Sequence, residues 1–221
     1  VVNLINNFLI EKNSFIFESV EKGVIKGRYT IFGKKPDKIW EFNNNNSYSV
    51  DKKNKKKKIK GTPQKVINDL IENFKFKTPN NLPPICSLIS GYFSYDTIRY
   101  IEKIPNSCKN DLNIPDVRLI RPRILVIHDN LKKKIFYIVN VFKNEKITNY
   151  KKKYSEIKKE LDYLRIQASK TIKQINIKKN PNKIIVKSNT SKNKFLGMVN
   201  KAKKYIKIGD IFQVVLSQRF K

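Results

Sequence analysis

The 221-residue chain is poor in the residues on which common active sites are built. Two cysteines, Cys86 and Cys108, are too few for a disulfide framework or a cysteine-based zinc site. They read as packed thiols, with a redox pair as the alternative. The single histidine, His128, stands beside Asp129 at the end of a strand pattern. No Ser or Cys partner lies near it in sequence, so it reads as a hairpin-end residue more readily than as a catalytic base. Seven glycines include no phosphate-binding loop. No apolar run reaches the roughly 18 residues of a membrane span, and no basic–apolar–small leader opens the chain. These absences predict a cytoplasmic chain with no membrane partner. Acid is scarce as well: 18 Asp and Glu stand against 48 Lys and Arg, a formal net charge of +30.

Bulky apolar material is plentiful. Hydrophobic residues make up 39% of the chain, with 13 Phe and 10 Tyr, which excludes a wholly disordered polycation. Lysine, asparagine and isoleucine together account for 98 residues, whereas alanine occurs twice and arginine seven times. The abundant three have AT-rich codons and the scarce ones GC-rich codons, so genome composition explains much of the charge. Nucleic-acid readers favour arginine, whose planar fork fits phosphates and guanine edges. A basic RNA-binding fragment therefore remains only as an alternative reading, and no specific nucleic-acid partner is expected.

Hydrophobic periodicity lays out an α+β chain. Residues 2–10 read as the end of an amphipathic helix, and residues 15–17, 24–32 and 38–42 read as strands. Asn43 to Asn46 and the run from Asp51 to Lys60, with seven lysines in ten residues, read as a polar loop or hairpin tip. Pro63 opens a helix carrying Val66, Ile67, Leu70, Ile71 and Phe74 at helical spacing. Residues 88–95 suit a buried strand, with Gly91 where another backbone comes close. Ile98 and Ile101 suit a short helix with an Arg99–Glu102 pair. Residues 124–127 and 135–142 form a hairpin around Asp129-Asn130-Leu131. Tyr150, Tyr154, Ile157, Leu161, Leu164 and Ala168 mark the clearest helix, read as packed on its own domain or, alternatively, as a partner-binding face.

After a linker at 176–182, residues 184–186 look extended. A cap at Ser188, Thr190 or Ser191 opens a helix that Gly209 closes. Residues 211–220 read as a strand. One of its faces carries Gln213, Ser217 and Arg219, which suits the floor of a pocket for a polar anion or, equally, the wet side of an edge strand.

Four segments in order carry a resemblance. Tyr205-Ile-Lys-Ile-Gly-Asp-Ile-Phe-Gln-Val-Val-Leu-Ser-Gln-Arg-Phe220 resembles the start of the chorismate-binding domain of the anthranilate synthase component I family. Ser14-Phe-Ile-Phe-Glu-Ser-Val-Glu-Lys-Gly23 with Gly27-Arg-Tyr-Thr-Ile-Phe-Gly33 is similar to that family's N-terminal domain. Gly91-Tyr-Phe-Ser-Tyr-Asp-Thr-Ile-Arg-Tyr100 and Pro115-Asp-Val-Arg-Leu-Ile-Arg-Pro122 lie between them in the expected order.

The resemblance implies antiparallel β layers flanked by helices. It implies a regulatory domain over 1–177 that contacts a glutamine amidotransferase subunit, component II, and the first helix and strand of the catalytic domain over 182–221. It implies a parent enzyme that turns chorismate and ammonia into anthranilate and pyruvate. It further implies Mg²⁺ on the substrate carboxylate and feedback inhibition by L-tryptophan. The Mg²⁺ ligands and most chorismate contacts would follow Lys221. No catalytic or metal residue is therefore expected here, and the chain, which starts at Val1, reads as an inactive fragment.

Ser19 and Glu18 match the family's Leu-Leu-Glu-Ser tryptophan motif, with a strand serine bonded within the sheet as the alternative for Ser19. Binding of tryptophan by the fragment alone is expected to be weak, because other parts of that site would lie outside it. Gln213 stands where the water-adding relatives carry a lysine. It cannot take up a proton, so it fits amination, lining the pocket near the attacked carbon. Aminodeoxychorismate synthase component I, which keeps the enolpyruvyl side chain, is the nearest alternative.

Overall fold

The computed structural model describes residues 11–18, 27–51, 53–107, 110, 112–170 and 185–221. They fall into two compact units, Val1–Ile172 and Lys173–Lys221. The expected helix at 2–10 and the expected domain boundary at 177–182 lie outside the described residues.

The first unit is a seven-stranded antiparallel sheet with helices, an α+β arrangement. Its spine is the pairing of β2 (Tyr29–Asn43) with β6 (Val117–Asp129), which runs from Tyr29↔Asp129 to Phe42↔Val117. β2 joins two stretches that the sequence suggested as separate strands. Near its middle Pro36 faces Pro122, so neither residue can donate a ladder hydrogen bond, and the register shifts between Pro36 and Lys38. The irregularity divides the spine into two halves. β1 (Phe15–Phe17) and β7 (Lys134–Val139) flank one half, pairing with β2 and β6 respectively. β3 (Asn46–Val50), β4 (Lys56–Ile59) and β5 (Ser90–Phe93) flank the other.

Alternation along the strands gives each half two apolar faces. On the β1–β7 half, Phe32, Ile124 and Val126 pack under Leu164 and Ala168 of α2 (Tyr150–Ser169). On the reverse face, Leu125, Ile127 and Ile138 pack with Cys86 in the segment before β5. On the other half, Trp40, Phe42, Val117 and Leu119 meet Val66 of α1 (Pro63–Asn73), which starts at a Thr62 cap followed by Pro63. Burial pushes the Cys86 thiol up, as suits a packed residue; Cys108 lies outside the described residues.

Several expectations need correction. Asn43 to Asn46 is a hairpin tip, with Asn44 and Asn45 both at positive φ, but Lys56–Ile59 of the lysine run is an edge strand rather than loop. Lysines on an open edge oppose pairing with another chain, and β3 supplies the ladder that composition did not reveal. The segment after β5 is a 3-10 helix, Tyr95–Tyr100, in which Arg99 pairs with Asp96 at 2.7 Å instead of Glu102. Three residues per turn bring Asp96 directly over Arg99. Only the C-terminal part of the α2 stripe is packed: Leu164 is 1% exposed, whereas Tyr150 is 77% and Tyr154 71% exposed. Charge holds the other part of the helix, through Lys153–Glu145 (2.6 Å), Glu160–Lys35 (3.3 Å) and Glu160–Arg123 (3.5 Å).

In the second unit, α3 (Lys192–Lys207) begins at Ser191, whose hydroxyl accepts the Lys194 N–H. Gly209, at φ +82°, follows the helix, and its N–H donates to the Ile206 carbonyl. The strand expected over 211–220 is absent. A strand needs a ladder along its length, but here one isolated bridge joins Phe220 to Ser188, beside reciprocal bonds between Lys187 and Lys221 of 2.9 and 2.8 Å. Phe212 is 94% exposed. No helix among the described residues is long and apolar enough to cross a membrane.

Gly91 supports a first test. A Cβ there would lie 1.9 Å from the Arg118 carbonyl oxygen and 2.9 Å from the Leu119 Cα, both backbone atoms of β6. Gly91→Ala should cost about 2–4 kcal/mol of unfolding free energy by denaturant titration; an unchanged midpoint would contradict the close approach. The buried Asp129 supports a second. Hydrogen bonds from Arg28 and from the backbone of Lys132 and Leu131 outweigh its burial and hold its carboxyl at about 2, against an ordinary 3.8. A depressed folded-state value adds stability above the unfolded value and loses it as pH falls through the folded one. The Tm gap between the unsubstituted chain and Asp129→Asn should be largest above pH 5 and close between about pH 4 and 2. A gap independent of pH would contradict the pair.

Candidate functional site

β1 and β2 pair in the register Phe15↔Gly33, Ile16↔Phe32 and Phe17↔Ile31. Glu18 follows the last of these ladder pairs, and Arg28 immediately precedes β2. Both line a cleft of about 460 Å³ whose apolar wall is Ile16, Phe17, Tyr29, Ile31 and Ile85. The wall exists because the alternating residues of β2 put Tyr29 and Ile31 on the face that the segment around Ile85 covers.

Arg28 is fixed from several directions. Its Nε donates to Asp129 Oδ1 and Oδ2 at 3.2 and 3.3 Å, and its Nη2 donates to Oδ2 at 2.8 Å. Its guanidinium carbon lies 4.8 Å from the centre of the Tyr29 ring. Asp129, 1% exposed, also accepts the Leu131 and Lys132 N–H groups at 3.0 Å each through Oδ1. Asn130 donates its backbone N–H to the Arg28 carbonyl at 2.8 Å and its side-chain amide to the Gly27 carbonyl at 3.2 Å. The β6–β7 turn therefore clamps the chain entering β2. The cleft offers a carboxylate, a guanidinium and an apolar wall, which is equipment for binding a small zwitterion rather than for bond-breaking.

Of the residues singled out in the sequence, Glu18 lines this cleft and is exposed, while Ser19 lies outside the described residues. Gln213 is exposed in the second unit, within the segment that lacks a ladder, so the strand face expected to group it with Ser217 and Arg219 does not form. His128 lies in β6 opposite Thr30 and Ile135, and its Nδ1 is buried with no hydrogen-bond partner among the described residues. Among the described residues no three of His, Cys, Asp and Glu come together as a metal site. Arg28, Tyr29 and Asp129 carried no site role in the sequence reading. The Gly27-Arg-Tyr segment was a visible signal for the first two, but nothing local joined Asp129 to Arg28, 101 residues away.

A larger cleft of about 800 Å³ lies between β2, β6 and α2. Several of its charges are already paired: Asp37 with Arg121 beside it, Glu145 with Arg123 and Lys153, and Glu160 with Lys35. A ligand there would displace partners, whereas the smaller cleft keeps Glu18 and part of Arg28 available.

The chorismate binding enzyme family matches residues 15–221. Anthranilate synthase component 1 of Acetivibrio thermocellus is 35% identical over 223 residues, covering 99% of this chain and 45% of that protein. The chloroplastic anthranilate synthase alpha subunit 1 of Oryza sativa subsp. indica is 31% identical, covering 95% of this chain and 39% of its own length. The crystal structure of anthranilate synthase component I from Streptococcus pneumoniae TIGR4 superposes with a TM-score of 0.66 at 25% identity, over 98% of this chain and 45% of that one. The chain thus spans less than half the length of these relatives. With the family match running through both units, the chain belongs to the chorismate binding enzyme family.

Proposed function

We propose that this chain is the regulatory front part of an anthranilate synthase component I, and that the β1–β2 cleft is its L-tryptophan site. The observation that carries the regulatory reading is that Glu18 and Arg28 line one cleft beside an apolar wall. An amino acid presents an ammonium, a carboxylate and a side chain; Glu18 suits the first, Arg28 the second, and Tyr29, Ile31 and Ile85 an indole. Ser19, next to Glu18 in sequence, would add a hydroxyl to the ammonium or carboxylate.

In the parent enzyme chorismate and ammonia would give anthranilate and pyruvate in the cytoplasm, with ammonia supplied by a glutamine amidotransferase subunit docked on a domain spanning 1–177. Gln213, in a catalytic domain beginning near 182, would line the chorismate pocket. As a neutral amide it can orient ammonia but cannot deprotonate water. Mg²⁺ would be held by residues outside these 221 and would neutralise charge on the substrate. The names of the relatives favour anthranilate over aminodeoxychorismate as product.

Assay of the full-length protein with chorismate and ammonium tests both levels. Fluorescent anthranilate should form, and L-tryptophan should suppress it. Ser19→Leu should raise the tryptophan concentration for half-inhibition at least tenfold, because a branched apolar side chain removes the hydroxyl and fills its place. Aminodeoxychorismate as product, or an unchanged inhibition curve, would overturn the corresponding half of the proposal.

A further inference from the structure

The cleft reading leaves one buried charge unexplained. Asp129 is not among the described residues that line the cleft, yet it holds Arg28, the one cation among them. We infer that Asp129 is a positioning residue: it presents Arg28 in a fixed orientation to the carboxylate of the amino acid in the β1–β2 cleft, and so sets selectivity for ligands that carry a carboxylate. The inference rests on the proposal that this cleft takes an amino acid.

The donor geometry of Arg28 is the basis. A guanidinium has five N–H donors in a rigid planar fork. The Nε and Nη2 atoms face Asp129 side-on. Nη1, with two N–H donors, makes no hydrogen bond among the described residues. The two-toothed grip on one edge therefore leaves the far end of the fork for a second carboxylate. The Tyr29 ring, 4.8 Å from the guanidinium carbon, limits swivelling of the plane.

Asp129 is itself immobile. It ends β6 and accepts two backbone N–H groups from its own turn, while the neighbouring Asn130 ties down the carbonyls of Gly27 and Arg28. An unanchored arginine would have to lose its rotamer freedom each time a ligand bound; here folding has already fixed it. The buried carboxylate also offsets part of the arginine's charge. Its contribution is therefore direction rather than a stronger field, and the two effects have opposite signs in a variant.

Asp129→Asn separates them. The Asn Oδ1 can keep the two backbone N–H bonds, but an amide nitrogen in place of Oδ2 sets donor against donor at Nη2 and turns Arg28 away. The full-length enzyme is assayed with L-tryptophan and with tryptamine, which keeps the indole and the amine but lacks the carboxylate. The unsubstituted enzyme should be half-inhibited by tryptophan at a concentration at least tenfold below that for tryptamine. Asp129→Asn should reduce this ratio about tenfold, by weakening tryptophan while leaving tryptamine unmoved. Arg28→Gln should do the same, and Asp129→Asn added to Arg28→Gln should lower the ratio no further, since Asp129 acts through Arg28. Melting curves identify any variant that fails to fold, and for such a variant the ratio in Arg28→Gln decides. Equal weakening of both ligands would reduce Asp129 to a purely structural part and overturn the inference. A ratio that is unchanged or higher in Asp129→Asn would also overturn it, the latter meaning that Asp129 masks Arg28. Inhibition by neither ligand in the unsubstituted enzyme would instead overturn the cleft reading on which it rests.

Discussion

The pairing of β2 with β6 is the constraint on which the rest of the first unit depends. Every other strand is placed by it: β1 and β3 pair with β2, β5 and β7 pair with β6, and β4 attaches through β3. The Pro36–Pro122 position interrupts the pairing without ending it, so one spine supports two half-sheets with separate apolar clusters. The far end of the pairing, Tyr29↔Asp129, is also where the cleft opens. Asp129 is thus both a last ladder partner of the spine and the ion-pair partner of Arg28, which ties the residue before β2 to the end of β6.

Charge acts in two ways in this chain. Five of its seven arginines, Arg28, Arg99, Arg118, Arg121 and Arg123, pair with its own scarce carboxylates. Burial pushes the Glu41 carboxyl up, but Lys56, ion-paired to it, and Arg118, which donates a hydrogen bond to it, bring it below its ordinary value. The lysines of β4 lie on an exposed edge, where they keep a strand from pairing further. Those five guanidiniums are held by the chain's own carboxylates, while most lysines among the described residues are exposed. The net charge of +30 describes that surface, whereas the paired minority of charges shapes the fold.

Local chemistry made much of this legible. Pro63 marked the start of one helix, a cap among Ser188, Thr190 and Ser191 with Gly209 beyond its end marked another, and the backbone approach at Gly91 was readable from a glycine inside a strand pattern. Elements decided by distant partners were not legible. Lys56–Ile59 is a strand only because β3 pairs with it, and residues 211–220 have a strand pattern but no ladder. Tyr150 and Tyr154 fit the helical period yet point away from packing, because ion pairs and not apolar contacts hold that part of α2. In the site, Glu18 was legible from its motif. Arg28 and Asp129 meet across 101 residues, and only the folded sheet makes them one feature.

The regulatory site proposed above lies at the edge of the sheet where β1 joins the spine, with Glu18 and Arg28 beside an apolar wall. The most direct measurement is a nuclear magnetic resonance titration of the isotope-labelled chain with L-tryptophan at millimolar concentration. A regulatory cleft predicts shifts at the backbone amides of residues 16–18, 27–31 and 85, which line it, and none around Lys35, Glu145 and Glu160 of the larger cleft. No shifts at all, or shifts centred on the larger cleft, would contradict it.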